Sequence, residues 1–270
     1  MEIKSMFKMG TSDSVPINLK FGIQIFGVIL LLLLWIGFTE SGIVPMSIFP
    51  SPLKVIGSFK DLLGKPDYLI YNSGYSLYLN FIGYFKAIIL VIPLGFILGL
   101  IPAVRIMFEK YIDAMRFIPL TAIVGLFIAW FGIYDTMKIN FLALGIIVYL
   151  LPMMVQRVSE TEQVYVDTVW TLGGNIWHLF RYVYFPSAMS KVFNDIRVIV
   201  ATSWTYIIIA EIINNTGGIG ALAHLCSRQQ RIDKVFACLL VIVLIGFVQD
   251  KLFKMLDKLL FPYKYTMEAK

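Results

Sequence analysis

Charged side chains are scarce in this chain of 270 residues, at 15%, while hydrophobic side chains make up 59%. Soluble domains contain about a quarter charged residues, so the composition excludes an ordinary soluble domain. The hydrophobic residues stand in long runs, which are typical of membrane-spanning helices. The low charge content therefore indicates an integral membrane protein.

Residues that commonly carry chemistry are also few, with two histidines and two cysteines. The histidines are far apart in the sequence, so no catalytic cluster assembles around them. Cys226 and Cys238 lack the spacing of metal ligands, and we predict that both are inert thiols with no metal bound. These absences disfavour an intramembrane enzyme and a metal site.

Two further absences concern the coupling of energy to transport. The hydrophobic runs hold almost no Asp or Glu at their centres, whereas ion-coupled transporters place carboxylates there. A stand-alone ion-coupled transporter is therefore a less favoured interpretation of this membrane protein. The chain also lacks the phosphate loop G-x-x-x-x-G-K-S/T, so it cannot bind ATP in that manner.

Six hydrophobic runs are each predicted to form a membrane-spanning helix. They cover residues 21–38, 87–104, 117–133, 139–155, 198–213 and 235–248. The last run is short, but it can extend toward Leu252 and Leu256 if its helix is tilted. The expected fold class is an all-α membrane protein with about six transmembrane helices.

Lysine and arginine are distributed unevenly between the two sides of this topology. With the amino terminus inside, and without Lys86 and Arg197 at the edges of spans, the inside segments hold 14 of them and the outside segments 7. Because cytosolic loops carry the excess of positive charge, we expect residues 1–20, 156–191 and 257–270 in the cytosol. The transmembrane domain then covers residues 21–256. This topology and anionic lipid explain the net charge of +6, without a nucleic-acid partner.

An amphipathic helix is predicted over residues 51–64, after the first span. Ser51 can cap this helix, and Pro52 fits its first turn. Its hydrophobic residues recur at helical spacing, with Lys54, Lys60 and Asp61 between them. It either lies on the outer membrane interface or packs as a loop helix.

The polar segment 156–191 is predicted to contain two short helices. Ser159 and Glu162 have the spacing of a capping box, which predicts a helix starting there. The pair Gly173-Gly174 is expected to end it, and a second helix is expected over residues 175–184. This unit has more apolar surface than water favours, so it either packs on the spans or enters a groove on a partner.

A resemblance to a known family decides between these alternatives. The spacing Asp167-Thr168-Val169, three residues, Gly173, nine residues, Val183, one residue, Phe185-Pro186 resembles the EAA loop of ABC-importer permeases. The resemblance covers residues 49–270 and is closest to the nitrate/sulfonate/taurine/bicarbonate permeases. Other family-like pieces are Phe49-Pro50-Ser51-Pro52, Ile92-Pro93-Leu94-Gly95, Ile118-Pro119, Trp130-Phe131-Gly132-Ile133, Ala210-Glu211 and Gly218-Ile219-Gly220.

The resemblance implies an inner-membrane permease subunit, of the binding-protein-dependent transport type, in a bacterial plasma membrane. It implies a type I importer architecture in which residues 159–186 form a cytosolic coupling helix-turn-helix. Its expected partners are ABC ATPase subunits, a second permease copy in a homodimer, and an extracytoplasmic substrate-binding protein. ATP and magnesium would bind the ATPase, leaving this chain without a cofactor or catalysis. The coupling residues carried over are Asp167, Thr168, Val169, Gly173, Val183, Phe185 and Pro186.

The substrate implied by the resemblance is a small anion such as nitrate, sulfonate, taurine or bicarbonate. A heterocyclic vitamin precursor is the alternative, because the family also includes such permeases. Asp-Thr-Val in place of Glu-Ala-Ala, Gly125 in place of a proline and Asn80 in place of an arginine depart from the family pattern. Candidates for the substrate path or a gate are Asn80, Thr121, Trp130, Ser203, Trp204, Thr205 and Glu211.

Three other features of the spans give specific expectations. Gly95 and Gly99 form a small-xxx-small pair, which predicts close approach of another helix. Glu211 either contributes to an outer gate or binding-protein contact, or snorkels at the interface. Lys86 is expected near the outer boundary of the second span, where it can snorkel or attract an anion.

Overall fold

The computed structural model describes residues 16–65, 67–213 and 216–266, which form helices joined by turns. Residues 1–15 of the expected amino-terminal segment and 267–270 of the expected tail lie outside the described ranges. The helices are α1 Ile17–Glu40, α2 Pro52–Leu63, α3 Leu69–Leu100, α4 Pro102–Met115, α5 Val124–Phe131, α6 Asp135–Ser159, α7 Gln163–Thr171, α8 Ile176–Leu179, α9 Phe185–Ile213, α10 Ile219–Arg228, α11 Ile232–Leu260 and α12 Pro262–Thr266.

Helices α3 and α6 pack along each other and run in the same direction. A side-chain carbon placed on Gly83 would overlap Leu142, and one placed on Gly95 would overlap Met154. Farther along, a carbon on Gly99 would come within 2.6 Å of the Val158 side chain. The predicted close approach at the glycine pair is therefore confirmed, with α6 as the neighbour.

Helix α9 runs antiparallel to α3 and α6 and completes the core. At one end of the bundle, Arg157 of α6 bonds Asp195 of α9. At the other end, Ser76 of α3 bonds Glu211 of α9. We call these the Gly173 end and the Glu211 end, after the residues that mark them.

The connection between α3 and α6 must cross the bundle, because the two parallel helices begin at the same end. The expected single span over residues 117–133 is wrong, however. The chain breaks at Ile101-Pro102, forms α4, then turns by 90° into a segment, Leu120–Phe131, made of one 3-10 turn and α5. Pro119 disfavours helix in the residue before it, and Gly132 ends α5 with a φ of +71°.

The part of the chain that is described holds five helices long and apolar enough to cross a membrane, or six crossings if the bent pair counts as one. Because α3 and α6 are parallel, the bent pair of α4 and the segment Leu120–Phe131 must return the chain to the Glu211 end. The total is then six crossings. Helix α3 begins at Leu69, well before the expected residue 87. Helix α11 extends past Leu256, as expected.

The remaining helices pack around these three, and α2, α10 and α11 also contribute buried side chains to the core. Helix α2 confirms the predicted amphipathic helix, with the Ser51 hydroxyl accepting from the Lys54 N–H at 3.4 Å. It packs at the start of α11, where the Ser58 hydroxyl bonds the Asp233 carbonyl. Trp35 of α1 packs on Phe236 of α11. Because Lys234 pairs with Asp67, just before α3, these contacts lie at the Glu211 end.

Candidate functional site

The turn after α7 is built around Gly173. This residue has a φ of +74°, a left-handed conformation that glycine adopts without steric cost. The Gly174 N–H donates to the Val169 carbonyl at 2.8 Å, and the Gly173 N–H donates to the Trp170 carbonyl at 3.0 Å. Together these bonds form a Schellman motif, which confirms the predicted end of the helix at the glycine pair.

The predicted capping box at Ser159 is wrong. Helix α6 continues through Ser159, whose hydroxyl donates back to the Gln156 carbonyl, and α7 begins only at Gln163. A capping box does exist one helix later. Asn175 accepts from the His178 N–H at 3.0 Å, and the Asn175 N–H donates to His178 Nδ1 at 3.2 Å. Histidine replaces the usual Glu or Gln there, so the sequence pattern did not reveal it.

The second predicted helix does not end at Tyr184. Helix α8 continues through a π-helical segment, Phe180–Tyr184, directly into α9. Pro186 therefore lies in the first turn of α9 and does not separate two helices. Proline cannot donate to the preceding turn and crowds its carbonyl, and the wider π turn ahead of it relieves that crowding.

The expected coupling residues divide into supporting and exposed groups. Val183 is buried with Val166 and Leu179 in a small core, against which Val169 packs. Phe185 is stacked on Phe96 of α3, with ring centroids 5.8 Å apart. The exposed members are Asp167, Thr168 and Gly173, with Pro186 half-buried. Val183 and Val169 thus hold the two short helices together, and Phe185 attaches the unit to the bundle, while the polar members lie outside.

Large apolar side chains on this unit are nevertheless uncovered. We call residues 163–185 the elbow. Leu172 and Ile176, on either side of the glycine pair, are 81% and 77% exposed. Further exposed side chains of the elbow are Val164, Tyr165, Trp170, Trp177, Tyr182 and Phe185. A patch of this kind marks an interaction surface.

Ion pairs join α6 to α9 beside the elbow. Arg157 bonds both oxygens of Asp195, at 2.7 and 2.9 Å, and also bonds Glu160 at 2.9 Å. The Arg157 guanidinium holds the pKa of the Glu160 carboxyl below its usual range. The contribution of this ion pair to the stability of the fold is therefore complete at pH values above the usual carboxyl pKa. It is lost only as the pH falls through the lowered pKa of Glu160. At the carboxyl terminus, Tyr263 donates to the Pro186 carbonyl at 2.9 Å.

A buried polar cluster lies at the Glu211 end. Glu211 is fully buried, so the snorkelling interpretation is wrong. Its carboxylate accepts from the Ser76 hydroxyl at 2.6 Å and from the Gly220 N–H at 2.8 Å. The Ser76 oxygen in turn accepts from the Ile219 N–H at 2.8 Å. Glu211 and Ser76 thus satisfy the first N–H groups of α10, where negative charge is favourable.

A second set of polar side chains surrounds Lys138, which is also fully buried. The Lys138 ammonium donates to the Thr216 hydroxyl at 2.7 Å and lies 5.2 Å from the centre of the Tyr75 ring. Tyr75 donates to Asp135. Tyr75 and Ser76 belong to the first half of α3. Polar residues interrupt the hydrophobic run there, so the hydrophobic pattern of the sequence did not reveal this part of the helix.

The sequence over residues 79–261 matches the family described as "Binding-protein-dependent transport system inner membrane component". The match extends from α3 to just past α11 and includes the elbow, Lys138 and Glu211. The chain belongs to this family. It is an ABC-importer permease subunit, as the resemblance of its elbow motif implied.

Individual permeases are similar over most of their length. The taurine transport system permease protein TauC of Escherichia coli (strain K12) is 25% identical over 252 residues, covering 92% of each chain. A Bacillus subtilis (strain 168) chain named as an aliphatic sulfonates transport permease protein, SsuC, is 23% identical, covering 84% of this permease and 82% of that chain. An inward-facing structure of the MetNI methionine ABC transporter superposes with a TM-score of 0.63 at 16% identity, over 72% of this permease and 98% of that chain. That likeness confirms the fold class.

The expected path residues of the permease fall in two groups. Asn80 and Ser203 are buried and bond each other at 3.1 Å between α3 and α9. Buried Trp204 donates to Gln249 of α11 at 2.7 Å. Glu211 joins this buried group, whose members already hold internal partners. The exposed group consists of Thr121, Trp130 and Thr205.

Proposed function

We propose that this permease couples to a separate ABC ATPase through its elbow, and that ATP-driven movement of the elbow alternates access to a path through the membrane. The observation that carries the proposal is the uncovered apolar surface around Gly173, at one end of a helix that continues to Glu211. A groove on the ATPase would cover Leu172 and Ile176. Asp167 and Thr168 would remain available for polar contacts.

The Gly173 end then faces the cytosol, together with α12 and the segment before α1. The excess of lysine and arginine at this end supports that orientation. The Glu211 end faces outward, toward an extracytoplasmic binding protein. ATP and magnesium bind the ATPase. Six membrane crossings are too few to enclose a path, so the proposed complex contains a second copy of this chain in a homodimer.

We also propose a small anion as the substrate, such as taurine, another sulfonate, nitrate or bicarbonate. The names of two relatives, for taurine and for aliphatic sulfonates, support this class. The ATPase would drive uptake, and the binding protein would select the anion.

Substitution of Gly173 tests the coupling proposal. A β-branched residue is strained by about 1–2 kcal/mol at a left-handed position, so Gly173→Val should distort the elbow. We expect ATP-driven uptake of taurine into proteoliposomes, with the binding protein added, to fall at least tenfold. Gly173→Asn is the matched control, because asparagine tolerates this conformation better, and it should retain most uptake.

The elbow proposal also predicts weaker co-purification of the ATPase with Gly173→Val, at an unchanged amount of permease in the membrane. Unchanged uptake together with unchanged co-purification would contradict it. A wild-type complex that hydrolyses ATP but imports none of the four anions would instead contradict the proposed substrate.

A further inference from the structure

Lys86 occupies the interior of a membrane-spanning helix. It lies 17 residues after Leu69 and 14 residues before Leu100 in α3, about 21 Å from the Gly173 end of that helix. With the hydrocarbon core beginning at Leu100, Lys86 lies about 9 Å inside its outer boundary, so the expected position near that boundary stays a prediction. Residues 87–101 contain no charged side chain, and the hydrocarbon core of a bilayer is about 30 Å thick. The ammonium thus lies at the depth of the hydrocarbon.

The Lys86 side chain is nevertheless on the surface of the single chain. An ammonium facing lipid at this depth is costly, so such residues usually face a protein interior or a water-filled cavity. Neighbouring exposed residues on α3, Ile89 and Leu90, offer it no polar group. The exposed position therefore indicates a cavity or a path that the complete assembly encloses.

The charge of Lys86 has no counter-charge among the residues that the structure describes. Some other cations in the helices are paired, as Lys234 is with Asp67 and Arg197 with Asp250. Lys86 instead donates to the neutral Oδ1 of Asn140 on α6. In the described ranges, the amide nitrogen of Asn140 forms no bond of its own. A full positive charge and an amide donor therefore lie side by side at one exposed place.

We propose that Lys86 and Asn140 form a subsite for a small oxyanion along the path of the permease, an inference that rests on the function proposed above. The ammonium supplies the charge that an oxyanion requires, and the amide donates a second, orienting hydrogen bond. One cation and one neutral amide surround the anion only partly. The subsite can therefore release the anion as well as bind it.

Charge-selective labelling tests the local potential without reference to a substrate. Asn140→Cys places a thiol beside Lys86, and the native Cys226 and Cys238 are buried. We expect a methanethiosulfonate carrying a sulfonate to label this thiol faster than one carrying a trimethylammonium group. Lys86→Gln should lower the ratio of the sulfonate to the trimethylammonium labelling rate about tenfold, which corresponds to about 1.4 kcal/mol.

Two controls separate this result from general effects. Lys60→Gln removes the same charge from an exposed position on α2 and should leave the labelling ratio unchanged. Leu244→Cys, exposed in the middle of α11, should react with neither reagent because it faces lipid. If the Asn140→Cys thiol reacts with neither reagent in both the ATP-bound and the nucleotide-free complex, the pair faces lipid and the proposal is wrong.

Uptake by the complex tests whether the subsite serves transport. In proteoliposomes holding the permease, ATPase and binding protein, Lys86→Gln should reduce taurine uptake at least tenfold, while Lys86→Arg retains it and Lys60→Gln leaves it unchanged. Uptake of taurine, methanesulfonate, nitrate and bicarbonate that is the same for Lys86→Gln and wild type would overturn the subsite and leave the proposed function standing. Wild-type uptake of none of these anions would contradict both.

A phospholipid headgroup carries the same chemistry as a soluble oxyanion. Repeating the labelling in phosphatidylcholine vesicles, with and without phosphatidylglycerol, distinguishes the two. We expect the same ratio in both vesicles and slower labelling by the sulfonate reagent when taurine is added. A preference that exists only with phosphatidylglycerol would assign the site to lipid and overturn the proposal.

Discussion

Glu211 joins three helices through one carboxylate. It belongs to α9, bonds Ser76 of α3 and accepts from the Gly220 N–H of α10. A side-chain carbon on Gly218 would overlap the carboxylate itself, so only glycine fits there. The family-like pieces Ala210-Glu211 and Gly218-Ile219-Gly220 are therefore two halves of one structure.

Removal of this carboxylate should destabilise the permease. Glu211→Ala leaves the Ser76 hydroxyl and the Gly220 N–H buried without a partner, at about 1–3 kcal/mol for each group. We expect a clearly lower unfolding temperature in detergent. Glu211→Gln should lie between alanine and wild type, because its amide keeps one acceptor. Glu40→Ala, at an exposed residue, is the control; an equal loss in both alanine variants would contradict the capping role.

Some residues could be predicted from sequence and others could not. The left-handed turn at Gly173 was predictable, because glycine near a helix end has a local conformational reason. The partners of Glu211 were not, since Ser76 lies 135 residues away in the chain. Ser159 shows the opposite error, because a local capping pattern was overridden by the continuation of α6.

At the scale of helices, the contact of α3 with α6 depends on missing side chains. Gly83, Gly95 and Gly99 leave space that α6 fills with Leu142, Met154 and Val158. Helices in lipid gain little from the hydrophobic effect, so close van der Waals packing of this kind holds them together. The glycine spacing predicted such a contact, but it could not name α6 as the neighbour.

A larger residue in this contact should separate the helices. Gly99→Leu forces side-chain atoms into Val158 and should cost about 1–3 kcal/mol through overpacking. Gly246→Leu is the matched control, because no atom lies within 4 Å of a carbon placed there on α11. Thermal unfolding in detergent should distinguish them, and equal unfolding temperatures would show that the contact contributes little.

The segment between α3 and α6 shows where reasoning about helices from hydropathy fails. Residues 117–133 are hydrophobic enough for one span, yet α5 has only 8 residues. Proline and glycine divide the segment, and α6 and α9 provide the surface on which its short pieces pack. Hydropathy measures the preference for lipid and contains no information on such breaks.

At the scale of the whole molecule, the elbow and the α10 region lie at opposite ends. Helix α9 runs from the elbow to Glu211, which bonds the start of α10, and the Tyr263 contact places α12 beside the elbow. The six predicted spans already placed residues 156–191 and the segment after Ile213 on opposite sides of the membrane, and the distribution of lysine and arginine predicted which side is the cytosol. The sequence could not specify how the third crossing is divided.

Labelling from one side of the membrane tests this arrangement. Lys60→Cys lies on α2 at the Glu211 end, and Glu162→Cys lies before α7 at the Gly173 end; both residues are exposed. In intact spheroplasts, an impermeant maleimide should label only Lys60→Cys. Permeabilisation should add Glu162→Cys. Labelling of both from outside would contradict an odd number of crossings between them.

The uninterrupted course of residues Ile176–Ile213 has a mechanical consequence. A helix of 38 residues is about 57 Å long. If it pivots near its middle, a tilt of about 5° displaces its two tips by about 2.5 Å in opposite directions, by the geometry of that length. A push at the elbow would thus become a pull on Glu211. The middle of the helix lies near Asp195, which Arg157 of α6 bonds, so this ion pair would act as the pivot.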